Sequence, residues 1–433
     1  MTVSKLTRPQ PSLAFREEQA RPKSERDWKR FRNLWLLANG FMTVNVGVLF
    51  QLGNLNSLEK ALFLLTSLAY LRSKPVDGRN LALVGGMFAV AWVFGVITPF
   101  PDFGWFRFIS AAISMFAVLA FFCAWPTPRE RLLILHTLAL VPVGMVVLGG
   151  LYDLGGISRV LTHDYVGVTR LQGNTIPAFL AAAAFAGSVA SAFLTTTVDR
   201  RFILLTAADL AITFLTATRM PSVAALVAVS AILFTGLRSG VWRVAILVYG
   251  ASLLAGFVAL FGQQLVTRME DGGTSGRELI WNSLQASLER YPWTGVGFGH
   301  HGLLIPENVS RFTGTVAAHN EFLRFAVELG YIGASLFLLV FLGLIARMAF
   351  DARNGNRLAF VVSVGMFFLD SYSDNTFTAT SCFMVVLAAF SGAALAEPAH
   401  KLPKVMPRAM RGGAGPRALS GTRDVRAAQR LQG

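Results

Sequence analysis

A chain of 433 residues that is 54% hydrophobic and only 15% charged, with a mean hydropathy of +0.53, is too apolar for a water-soluble enzyme, and the bilayer is its solvent. The formal net charge of +15 does not indicate nucleic acid, because residues 1–32 hold nine Lys and Arg against four acids and residues 397–433 hold eight against two. Basic tails beside spans mark cytoplasmic ends that touch anionic headgroups; no aromatic-basic motif or nucleic-acid fold signature accompanies them.

After a basic tail over 1–33, apolar runs predict helical spans at about 34–51, 58–71, 81–98, 105–125, 132–150 and 174–194. Further spans follow at about 202–217, 221–237, 242–262, 330–349, 357–374 and 377–396, and then a second basic tail over 397–433 with a disordered composition. The expected fold class is therefore an all-α polytopic membrane protein of about twelve transmembrane helices. The first run, Leu34 to Phe50, lacks a small-residue cleavage site and is expected to stay as a span. Placing the N-terminus inside makes each inner loop basic, with Arg72, Lys74 and Arg79, then Arg129 and Arg131, Arg200 and Arg201, Arg238 and Arg243, and Arg347, Arg353 and Arg357. The outer connections near Asn54, Asp102 and Asp374 carry no Lys or Arg, and Arg219 is the exception in an outer turn, so both termini are expected in the cytoplasm.

Two outer segments exceed simple turns, about 151–173 within the first nine spans and about 263–329 after them; loops of that size are commonly functional. In the second, a helix is expected over Glu278 to Glu289, with Leu279, Trp281, Leu284 and Leu288 approximating an apolar face suited to the membrane surface. It breaks at Tyr291-Pro292, passes through Gly295-Val296-Gly297-Phe298-Gly299, and resumes as helix near His319. No inverted repeat relates the halves of the chain. Cys123 and Cys382 lie inside apolar runs and read as small core residues. Of the six histidines, His136 lies in a span, His400 in the tail, and His163, His300, His301 and His319 on the outer side. The adjacent pair His300-His301 has no evident third ligand and reads as loop. The glycine run lacks the Lys-Ser/Thr of a nucleotide-binding P-loop.

The densest polar cluster is Thr274-Ser275-Gly276-Arg277 with Trp281, followed by Ala318-His319-Asn320-Glu321 and Glu328-Leu329-Gly330-Tyr331-Ile332-Gly333. In this order, inside the largest outer loop, these pieces resemble the O-antigen ligase/polymerase family of bacterial envelope glycosyltransferases. The resemblance implies an inner-membrane, inverting glycosyltransferase. Its donor would be an undecaprenyl-diphosphate-linked glycan, and its acceptor another lipid-linked glycan, a lipid A core or a protein. Inner-membrane lipids and a chain-length regulator of the polysaccharide pathway are the further expected partners, with no nucleic acid. No Asp-x-Asp stands on an outer loop, and arginines can hold a diphosphate without a divalent ion, so neither metal nor cofactor is expected.

Arg277 is the first candidate for the leaving diphosphate, since guanidinium is planar and permanently charged, with an ion pair to Glu278 or Glu270 as the alternative. Arg219 follows Thr218, where the family often has a Ser-Arg pair, and a cation between two apolar runs costs about 2.5–3.5 kcal/mol to insert; snorkelling to headgroups is the alternative. Arg170, before Gly173-Asn174, is a third candidate for diphosphate or a charged sugar, or else pairs with Asp164. His319 is the candidate base, because neutral imidazole accepts a proton at pH 7, against a structural role at a helix start. Asn320 orients His319 or caps the next helix; Trp281 stacks on a sugar or anchors at the interface; Ser275, Gly276 and Glu321 support the site. A repeat-unit polymerase is the favoured product class, a ligase the runner-up. A transporter or flippase is the reading from another class, and it would predict charges lining a pathway and related halves.

Overall fold

The computed structural model describes residues 25–395 apart from 53–54, 164–166, 238, 242, 247, 253–254, 257–258, 260–276, 352 and 378. The apolar runs fold as helices, the one open-chain element that satisfies its own backbone in hydrocarbon. These are α1 (Glu25–Val44), α2 (Asn56–Arg72), α3 (Gly78–Ile97), α4 (Trp105–Leu119), α5 (Pro128–Leu154), α6 (Pro177–Thr197), α7 (Phe202–Leu215) and α8 (Arg219–Gly236). Beyond residue 276 come α9 (Arg277–Arg290), α10 (Glu307–Thr313), α11 (Glu321–Phe350), α12 (Arg357–Ser371) and α13 (Thr380–Leu395). Among the described residues, six helices are long and apolar enough to cross a membrane, namely α3, α4 with its 3-10 extension to Cys123, α5, α6, α8 and α11. The predicted ninth span, 242–262, falls partly outside the described residues, as do the tails 1–24 and 396–433.

Polar residues mark where several helices begin. Asp77 accepts from the backbone N–H of Arg79 and Asn80 at the start of α3. Thr127 and Glu130 form a capping box ahead of Pro128 on α5, and Asn356 accepts from Ala359 N–H on α12. The central helix is α6, packed against α5, α7, α8 and α13. Small residues allow this close approach: a Cβ on Gly392 of α13 would lie 2.2 Å from the Phe193 ring of α6, and one on Gly187 would lie 2.8 Å from Pro142 of α5.

The connections sort to two ends. At one end, Lys74 pairs with Glu130, Arg347 with Asp77, and Gly355 N–H donates to Ala393 O. At the other, Thr98 donates to Gly295 O and Gly104 N–H to His300, while turns at 216–218 and 372–377 lie between α7 and α8 and between α12 and α13.

Three expectations need correction. The 151–173 segment is not loop throughout: α5 runs to Leu154, and the antiparallel strands β1 (Leu161–His163) and β2 (Thr169–Leu171) follow, a short hairpin within a mostly helical fold. The basic tail does not stop before the first helix, because α1 starts at Glu25 and buries Phe31 together with Trp35. On α9 the inward face is Ile280, Leu284 and Leu288, spaced i, i+4, i+8, with Trp281 half-buried and Leu279 44% exposed. That face packs on Val296, Ile305, Ala318 and Val327 in a second, smaller core, so it serves protein packing and not a membrane surface.

Candidate active site

Chain geometry at the end of α12 gathers the candidate residues. The helix stops at Ser371, and Tyr372 to Thr376 turn back toward α13, closed by a hydrogen bond between the Ser371 and Thr376 hydroxyls. Asn375 Oδ1 accepts from His319 N–H at 3.0 Å, and Asp374 Oδ1 lies 3.3 Å from His319 Nδ1. His319 is thereby held by both backbone and ring, in a left-handed conformation (φ 48) that a residue other than glycine adopts only when its surroundings impose it. Its side chain is 22% exposed, and Nε2 makes no hydrogen bond to a described residue. With Nδ1–H donating to the carboxylate, Nε2 carries the lone pair. Arg277 reaches the same turn, donating from a terminal guanidinium nitrogen to Ser373 O at 3.0 Å.

Burial pushes the Asp374 carboxyl up, but the hydrogen bond and charge of His319, the Asn375 N–H and the Arg277 charge outweigh it and hold Asp374 below the ordinary carboxylate value. The carboxylate is therefore ionised at neutral pH, as an imidazole-orienting partner must be.

Behind His319 stands a rigid support. Trp281 Nε1–H donates to Ala318 O at 2.8 Å, which fixes the residue before His319 from α9. Asn320 caps α11 by accepting from Leu323 N–H at 3.0 Å, so of its two expected roles the cap is the one observed. Glu321, 1% exposed, accepts from Phe377 N–H at 3.0 Å and pairs with Arg324, which also reaches Glu328 at 3.3 Å; Glu328 in turn pairs with His301. Thus a buried chain of alternating charges runs from the 372–377 turn to the glycine run.

The glycine run itself is a packing wedge. α11 breaks at Gly330 (φ 67), and the carbonyls of Val327 and Glu328, freed there, accept from Val296 N–H at 3.0 Å and Gly297 N–H at 2.8 Å. A Cβ on Gly330 would lie 2.3 Å from Trp293 backbone, and one on Gly295 would lie 2.5 Å from Glu328 backbone. His300 is fully buried, accepting from Gly104 N–H at 2.8 Å while its Nδ1 bonds Phe298 O at 3.0 Å. His300 and His301 therefore face different partners, and His301 opens a short 3-10 helix, His301–Leu304.

Arg170 and Arg219 form a second group. Arg170, on β2, donates to Thr216 O at 2.9 Å and to the Thr218 hydroxyl at 3.0 Å, tying the hairpin to the turn that introduces Arg219 as the first residue of α8. Helices α8 and α12 pack together, and Asn356 donates to Thr235 at 2.7 Å where α12 begins and α8 ends. Their other ends, Arg219 on one and the 372–377 turn on the other, therefore lie at the same end of the bundle. Ser275 and Gly276 lie outside the described residues, as do Glu270 and Asp164, the alternative partners of Arg277 and Arg170.

Sequence reasoning missed Asp374 and Asn375 as site residues, noting Asp374 only as a connection. A usable signal existed: Ser373-Asp374-Asn375 is a run of polar residues between two apolar stretches. Among the described residues, no three His, Cys, Asp or Glu side chains are grouped to hold a metal ion.

No curated protein matches the chain. Residues 202–338 match the family model described as O-antigen ligase, a stretch that runs from α7 into α11 and contains Arg219, Arg277, Trp281, His319, Asn320 and Glu321, while Arg170 and Asp374 lie outside it. That matched stretch, about a third of the chain, is similar to the O-antigen ligase domain and supports the resemblance to the O-antigen ligase/polymerase family.

Proposed function

We propose that the protein is a metal-independent, inverting glycosyltransferase of the bacterial inner membrane that takes undecaprenyl-diphosphate-linked oligosaccharide as donor and polymerises the repeat units of a surface polysaccharide. The observation that carries this reading is the placement of His319 Nδ1 on Asp374 with Arg277 anchored to Ser373 in the same turn. An acceptor hydroxyl loses its proton to Nε2 of His319 as its oxygen attacks the anomeric carbon. The bond from that carbon to the diphosphate oxygen breaks, and the polyprenyl diphosphate leaves with the electron pair. Arg277 and Arg219 meet the charge that develops on it. Arg170 acts one step back, holding the turn that presents Arg219.

In this reading the chain crosses the membrane about twelve times, both termini are cytoplasmic, and the end holding His319 opens to the periplasm. The basic residues of the opposite end, Arg72, Arg79, Arg129, Arg200 and Arg353 among them, support that orientation. The test is a purified protein given a defined undecaprenyl-diphosphate oligosaccharide, with products sized on a gel. A ladder of repeats is expected. A single conjugate formed only with a lipid A core or protein acceptor would make it a ligase, and unchanged donor with every acceptor would remove the transferase reading.

A further inference from the structure

At the end of the bundle opposite His319, α3 and α11 pack side by side and leave an open groove of about 790 Å³ between them. Its floor is small and apolar: Ala82 and Leu83 from α3, Gly343 and Ala346 from α11. A Cβ on Gly343 would lie 3.8 Å from Leu83, an ordinary contact, so the small residues here form a shallow apolar slot beside the α3–α11 packing seam that has room for one more side chain. The flanking side chains Leu81, Leu339 and Leu342 are 49%, 63% and 47% exposed, which continues the apolar surface along the helices.

The rim carries the opposite chemistry. Arg79 and Arg347 both line the groove. Arg347 uses Nε and one terminal nitrogen on Asn80 and Asp77, which fixes the plane of its guanidinium and leaves the other terminal nitrogen without a hydrogen bond to a described residue. Arg79 has no acidic partner among the described residues. The rim's one carboxylate, Asp351, is held by Arg353 at 2.9 and 3.1 Å, so it is already neutralised. The groove thus pairs an apolar slot, open at the side of a membrane protein, with surplus positive charge at one end.

We propose that this groove binds one anionic phospholipid, its phosphate held by Arg79 and Arg347 and an acyl chain laid over Leu83 and Gly343. A headgroup oxygen satisfies the open guanidinium N–H groups, and the chain fills the slot beside the α3–α11 seam. Occupied, the site ties α3 to the helix whose other end begins beside His319.

The test uses the full-length protein, delipidated in a neutral detergent. It is titrated separately with phosphatidylglycerol, with phosphatidylcholine of the same acyl chains, and with inorganic phosphate; binding is read by native mass spectrometry and by the shift in Tm. Phosphatidylglycerol is expected to form a one-to-one complex and raise Tm. Arg79→Ala is expected to weaken it about fivefold, as for one basic residue at a charged surface. Gly343→Leu, which fills the slot where there is room for a side chain, is expected to abolish the complex while leaving the fold intact. Equal binding of phosphatidylcholine would overturn the proposal. So would an equal Tm gain from inorganic phosphate, which would mean a free-anion site, or unchanged phosphatidylglycerol binding in both variants.

Discussion

Two parts of the stretch between α9 and α11 carry histidines and glycine-rich or polar motifs, and they are built in opposite ways. Around 295–301, polar groups are committed to protein partners: His300 uses both ring nitrogens, Glu328 holds His301, and the backbone of 296 and 297 closes the broken end of α11. Around 318–320 and 373–375, the groups are positioned but not exhausted: His319 keeps Nε2 open, is part-exposed, and sits in a conformation it would not choose. Saturated hydrogen bonding with no spare room marks a support, whereas a restrained side chain with an open atom is what the proposed base requires. Residues of one motif thus do two different jobs.

The sharpest way to break this contrast is His319→Ala. Loss of a general base costs about two to four orders of magnitude in turnover, and because the 22% exposed ring gives up one charge-assisted hydrogen bond, to Asp374, Tm is expected to fall only modestly. Transfer assays on the purified variant, with Tm measured alongside, would show it; wild-type turnover would remove His319 from the chemistry. Arg324→Met should do the reverse. It leaves buried Glu321 with only the Phe377 N–H and Glu328 with only His301, a loss of about 3–5 kcal/mol, so the variant is expected to unfold at much lower temperature or fail to accumulate in the membrane. An Arg324→Met protein with unchanged Tm would show that the buried chain is not the support described here.

Asp374→Asn tests the partner on the reactive side. The amide keeps the shape but loses the charge that orients Nδ1–H, and a fall of about ten- to a hundredfold in turnover is expected, with substrate affinity unchanged. The same variant has a pH signature. Asp374 is held below its ordinary value of 3.8, so its stabilising contribution is complete above about that pH and is lost as pH falls through the lowered value. Tm of the wild type is therefore expected to be insensitive to Asp374 between pH 7 and 5 and to drop in strong acid, and that drop should shrink in Asp374→Asn.

How far the sequence could be read follows from the same contrast. Apolar runs of about twenty residues determine helices by themselves, so most of the described helices were legible, although α1 begins at Glu25 and ends at Val44 where the apolar run predicted 34–51. The hairpin was not: Leu161–His163 and Thr169–Leu171 are three residues each, too short for a period-2 pattern. Arg277, Arg219 and His319 stood out because charged and titratable groups are sparse among apolar runs. Asp374 did not, since its importance comes from a contact across 55 residues that no local pattern encodes. Likewise the face of α9 was misjudged by one position, because Leu279 and Ile280 are equally apolar and only the packing partner decides which points inward.

The smallest effect belongs to Trp281, where anchoring and sugar stacking make different predictions. Trp281→Phe keeps an aromatic face but removes the donor to Ala318 O, one hydrogen bond worth about 1 kcal/mol. If the indole positions His319, turnover should fall a few-fold with KM unchanged, and Tm should drop slightly. If it stacks on a sugar, Phe should be nearly silent, and only Trp281→Ala should raise KM. A silent Phe variant with a raised KM in the Ala variant would move Trp281 from the support to the reactive side of the comparison, since the ring would then touch substrate instead of holding the residue next to His319.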